Sequence, residues 1–193
     1  AYNFEYEDMN FSVFNNSLSV EKVKVTPKKN VSIRKDIDFL GEVGSISVTG
    51  VNFYELLTKK NLKAYTITIT EPNITVFKPE VRDTLKSESK LTSSIDIDKI
   101  TVKKANLKIM SNGGDSLFNQ VHNLNAEIDG IHMGEYTAGK DIPFTYQNYE
   151  FSIDSVYTKM NDFQYVKSDA ILIDKDNFDM TNLRIYPSIN SKT

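Results

Sequence analysis

The chain has 193 residues, 39% of them apolar, and a net charge of −3. That length suffices for one large or two small domains, and the charge argues against nucleic acid, which calls for a concentrated basic surface. The complete lack of cysteine excludes a disulfide framework, a thiolate nucleophile and a cysteine zinc site; it fits an oxidising bacterial envelope, although cytosolic proteins can lack cysteine too.

In chain order, residues 2–25 read as a β-hairpin. Phe4, Tyr6, Met9, Phe11 and Val13 form one arm and Leu18 to Val25 the other, with Asn15-Asn16-Ser17 as the turn. Pro27 closes the second arm because it has no N–H for the ladder. Residues 28–35 are charged and predict an exposed connection. Alternation resumes over residues 38–53, with Gly41, Gly44 and Gly50 as bend or bulge positions. The stretch 52–60 predicts a short helix: Phe53, Leu56 and Leu57 have helical spacing, and lysines close its last turn.

Residues 62–77 form the clearest strand, interrupted at Glu71-Pro72-Asn73. Residues 78–94 are polar and predict a mobile loop or linker. Residues 95–110 and 117–133 each predict a strand or hairpin, separated by the turn Ser111-Asn112-Gly113-Gly114-Asp115. A loop over 134–143, alternation over 144–156, strands over 163–173, a turn at Asp174-Lys175-Asp176-Asn177 and a last strand over 178–185 complete the chain.

One spacing recurs. Leu62 and Ala64 lie two apart, then a step of three leads to Ile67 and Ile69. Two apart is the spacing of one strand face, and a step of three keeps that face if one residue bulges, here around Tyr65–Thr66. The same four-residue pattern begins at Leu18, Ile46, Ile95, Ala126 and Phe178. A face of this size, left wet, far exceeds the ~300–600 Å² patch usual on a monomer. One helix of two turns cannot hide it. The expected fold is therefore mainly β, an elongated, curved antiparallel sheet forming a groove, with a closed β-sandwich as the alternative. One domain over residues 1–193 is expected, with two sub-units either side of the polar stretch 78–94 as the alternative.

The chemical candidates are weak. Asp174 to Asp179 resembles a calcium loop but lacks its sixth-position glycine, and Ile185 stands where the glutamate belongs. His122 and His132 are ten apart and fit no metal-binding helix pair. Asp96 and Asp98 alternate with isoleucines and face away from them, unlike a glycosidase pair. No G-x-S-x-G elbow supports a serine nucleophile. The expectation is a protein that is not an enzyme and has no cofactor and no metal.

The run Gly44-Ser45-Ile46-Ser47-Val48-Thr49-Gly50-Val51-Asn52-Phe53-Tyr54-Glu55-Leu56-Leu57, followed by residues 62–76 with Glu71-Pro72-Asn73-Ile74, resembles the AsmA-like envelope proteins, and residues 95–109 resemble that family's repeating strand. The lysine- and asparagine-rich composition is similar to versions from Bacteroidetes-type bacteria. The resemblance covers mainly residues 38–109. It implies a curved periplasmic β groove associated with lipid transfer or outer-membrane upkeep. Family members are usually much longer and carry an N-terminal membrane helix. No window here approaches the about 20 apolar residues of such a span, so membrane association would run through a segment outside this sequence. A start at Ala1 is consistent with a leader or anchor removed upstream. The expected partner is a lipid or other apolar ligand. The expected lining is Val48, Leu62, Ala64, Ile67, Ile69, Ile95, Ile97, Ile100 and Val102.

Overall fold

The computed structural model describes residues 2–28, 38–78, 93–111, 114–134, 137 and 144–188. The protein is mainly β: thirteen strands join in one mixed sheet that does not close into a barrel. In chain order the strands are β1 (Tyr2–Glu5), β2 (Asp8–Ser12), β3 (Ser17–Pro27), β4 (Asp38–Thr49), β5 (Leu62–Thr70), β6 (Asn73–Phe77), β7 (Ile95–Met110), β8 (Leu117–Met133), β9 (Asn148–Lys159), β10 (Gln164–Ser168), β11 (Ile171–Asp174), β12 (Phe178–Met180) and β13 (Arg184–Pro187). Across the sheet the order is β1-β3-β4-β5-β7-β8-β9-β10-β13; β2 pairs β3 as β1 does, β6 pairs β4 and β7 as β5 does, β11 pairs β9 as β10 does, and β12 pairs β11 where β13 pairs β10.

A first crease bends the strand lanes along one line. On the apolar side Val20 steps by three to Val23, Ile46 back to Val43, Ile69 to Pro72 and Val102 to Ala105. Beyond β7, Val121 steps to Leu124, Ile153 to Val156 and Met180 to Leu183. Left-handed backbone marks this line at Lys22, Glu71, Lys104, Asn123 and Asn182. Because neighbours take the step together, pairing between β3 and β4 or between β5–β6 and β7 keeps one register throughout. The crease moves by one row only between β7 and β8, where the register shifts from Val102 to Leu107.

The outer side of the crease is stitched by polar side chains. Lys22 donates to Glu7 at 2.6 Å, Lys104 to Glu71 at 3.3 Å, Asn123 to Asp154 at 2.7 Å and Asn182 to Asp169 at 2.8 Å. The bond from the Glu7 carboxylate, then its charge, raises the Lys22 ammonium above its ordinary value.

A second crease crosses the other end of the strands at Gly50, Tyr65–Thr66, Asp98–Lys99 and Gly130. Gly50 (φ +67°) and Gly130 (φ +63°) have left-handed backbone, and the Tyr65 and Gln147 side chains lie directly over them. No register shift occurs between β5 and β7 here. The step at Tyr65–Thr66 is thus a bend shared by adjacent strands, which differs from a bulge in one of them.

Burial gives the direction of the bend. The buried apolar residues are Val51, Ala64, Ile97, Ala105, Ala126, Ile131 and Ile171, all beside a crease on the apolar side. Lys22, Glu71 and Lys104, on the other side, are exposed. The sheet therefore curls toward its apolar face. Among the described residues no large side chain is fully buried, and all strands belong to one sheet, so the closed sandwich is not formed.

Several details differ from the expectations. The sheet is antiparallel except where β7 runs parallel to β5 and β6, a crossover reached through residues 78–94. The Ile46 copy does not stay in the sheet, since β4 ends at Thr49 and Phe53 opens helix α1 (Phe53–Lys59). Asn52 caps α1, its side chain accepting from the Glu55 N–H at 3.1 Å. The expected last strand breaks at the crease into β12 and β13. Most of the connections predicted at 28–35, 78–94 and 134–143 lie outside the described residues.

Candidate functional site: the apolar face

Residues directly opposite on neighbouring strands share a face, so the strand pairings trace the apolar surface from edge to edge. One row runs Met9–Val20–Ile46–Ile69–Val102–Ala126–Phe151–Ile173–Phe178. A second runs Phe11–Leu18–Val48–Ile67–Ile100–Ile128–Tyr149. The rows lie perpendicular to the strands, which is the direction a groove would follow.

The nine expected lining residues fall together on this face. The parallel β5–β7 register pairs Leu62 with Ile95, Ala64 with Ile97, Ile67 with Ile100 and Ile69 with Val102, while Val48 lies opposite Ile67. They differ in access. Ala64 and Ile97 are only 4% and 6% exposed and offer little surface; the other seven are half-buried. The face also includes Ile74, Leu107, Val121, Leu124, Phe151 and Ile153, which the six sequence copies omitted. The same steps of three, at Val102–Ala105, Val121–Leu124 and Ile153–Val156, were the available signal.

The polar face carries Ser47, Thr68, Thr101, Glu127, Glu150 and Asp174 in one row. An open hollow of about 470 Å³ on this face is lined by Thr101, Lys103, Lys104, Asn125, Glu127, Glu150 and Ser152 among others. Lys99 bonds Glu127 at 2.9 Å across its rim, and that bond, then the Glu127 charge, raises the Lys99 ammonium above its ordinary value. Glu127 and Glu150 lie directly opposite each other on neighbouring strands.

The remaining sequence candidates have local partners. His132 Nδ1 lies 2.5 Å from Asp96 Oδ1, and His122 Nδ1 lies 2.6 Å from Asn106 Oδ1. Asp174 Oδ1 accepts the N–H groups of Asp176 and Asn177 at 2.8 and 2.7 Å. These bonds hold its carboxyl below the usual aspartate range and make the would-be calcium loop a hairpin turn. Among the described residues no three His, Asp or Glu side chains are grouped as a metal site, and no helix is long and apolar enough to cross a membrane.

No family model and no curated protein matches the chain.

Proposed function

We propose that the apolar face is a groove for lipid acyl chains and that the protein is a non-enzymatic segment of a bacterial envelope system for lipid binding or transfer. The observation that carries this reading is the unbroken series of apolar rows across the whole sheet, with no second layer among the described residues to cover it. An acyl chain is long, flexible and without hydrogen-bonding groups along most of its length. A trough walled by isoleucine and valine, with polar groups only on its outer side, supplies what such a chain needs: apolar contact along a line. The resemblance to AsmA-like proteins supports the same assignment and its periplasmic location.

The test is native mass spectrometry of the purified chain before and after exposure to bacterial phospholipid. Co-purified or newly acquired lipid, released on mild delipidation without loss of the far-UV circular dichroism spectrum, is the expected result. A bare mass under both conditions would overturn the groove assignment.

A further inference from the structure

The two ends of the sheet are unlike its middle. The apolar-face residues of the first edge, Phe4, Tyr6, Met9 and Phe11, are 53–68% exposed, and those of the last edge, Phe178, Met180, Leu183 and Ile185, are 38–62% exposed. No described strand pairs with the outer side of β1–β2 or of β12–β13. The edge strands are short, three to five residues each, but there is no lysine or proline from Tyr2 to Ser12, and only Pro187 at the tip of β13. On the last edge Thr181 directs both backbone groups inward, its N–H to Ala170 and its C=O to the Asp169 N–H. Alternation then leaves the backbone groups of Met180 and Phe178 facing outward.

We propose that a second copy of this chain pairs its β1–β2 edge, antiparallel, with the β12–β13 edge of the first, continuing sheet, crease and apolar face from copy to copy. The crease fixes the register. Both edges step by three across it, from Tyr6 to Met9 and from Met180 to Leu183. Matching those steps sets Phe4 opposite Ile185, Tyr6 opposite Leu183, Met9 opposite Met180 and Phe11 opposite Phe178. On the outer face the same register sets Glu5 opposite Arg184, Asp8 opposite Thr181 and Asn10 opposite Asp179, so no like charges meet.

The first edge is acidic, with Glu5, Glu7 and Asp8 and no Lys or Arg before Lys22. Pairing it with itself across the crease would set Glu7 against Asp8 twice. The other edge carries one charge of each sign, Asp179 and Arg184, and the matched register puts Arg184 opposite Glu5. The contact is head-to-tail, so it propagates from copy to copy and does not close as a two-fold dimer. It depends on edges and crease alone and holds whatever the groove contains.

Sedimentation velocity on lipid-free protein over a concentration series tests it. The wild type is expected to show a ladder of species that grows with concentration. Glu5→Arg and Arg184→Glu are each expected to weaken association about tenfold, since a cross-strand ion pair becomes a like-charge pair. An equimolar mixture of the two variants should restore it, because each then meets an opposite charge. Circular dichroism establishes that both remain folded. A wild type monomeric throughout would overturn the proposal. So would an effect of Arg184→Glu without one of Glu5→Arg, which would mean that the last edge pairs with itself, or a mixture that fails to reassociate.

Discussion

Gly50→Ala tests the second crease. Gly50 lies between Val48 and Val51 with φ +67°, and a Cβ built on it stands 2.8 Å from Tyr65 Cβ and closer still to the ring. Left-handed backbone costs a non-glycine residue about 1–2 kcal/mol. Tyr65 is 68% exposed, so its ring can swing away, but its Cβ moves only with the backbone of β5; overpacking of that kind costs about 1–3 kcal/mol. Together they give about 2–5 kcal/mol, or a fall in Tm of about 4–20 °C for a domain of this size. Urea denaturation followed by circular dichroism measures the loss. Repeating the substitution in a Tyr65→Ala background should recover about 1 kcal/mol, the ring's part, and leave the backbone part. A cost below about 0.5 kcal/mol would refute the left-handed crease at Gly50, and equal costs in both backgrounds would refute the role of the Tyr65 ring.

Two further outcomes follow from the site and its turns. Ile67→Asp and, separately, Val48→Asp should abolish uptake of a fluorescent acyl probe while circular dichroism remains native; probe affinity equal to wild type in both folded variants would show that the lining is misassigned. Asp174 is held below the ordinary aspartate pKa by the N–H groups of Asp176 and Asn177 and by the Asn177 side chain. Its contribution is therefore present above that ordinary value, about 3.9, and is lost as the pH falls through the depressed one. Asp174→Asn accepts similar bonds without titrating, so the stability gap between wild type and variant should narrow on acidification from pH 7. A gap that widens would contradict the turn's electrostatics.

The strands were legible because alternation is local. Leu62 to Ile69 or Leu18 to Val25 declares its inward face through side-chain spacing alone. The steps of three were also visible, but their alignment was not, because a crease exists only once partners are known. The parallel β5–β7 pairing was hidden for the same reason: Leu62 and Ile95 carry no mark that they will face each other across thirty residues. Glycines suggested bends at Gly50 correctly. The first crease, however, places lysine and glutamate in left-handed backbone at Lys22, Glu71 and Lys104, residues that give no turn signal. Their charged partners on the adjacent strand, Glu7 with Lys22 and Glu71 with Lys104, are non-local as well.

The small residues at the vertices suggest how the trough keeps its shape. A sheet curling toward one face crowds the side chains at the bend, and Ala64, Ala105 and Ala126 occupy such places while isoleucine and valine fill the walls. Ala126 lies between Val102 and Phe151 in its row and is 5% exposed. Ala126→Leu adds three carbons where the walls already meet, so either strain accumulates or the bend opens. Overpacking of this kind costs about 1–3 kcal/mol, whereas Ile100→Leu, on a half-buried wall, should cost less than about 1.5 kcal/mol because volume is conserved. An opened bend would also expose apolar surface and raise binding of a hydrophobic dye. If Ala126→Leu were as stable as the wild type, with unchanged dye binding, the vertex would have room to spare, and the curvature would have to be set by the polar stitches on the outer face alone.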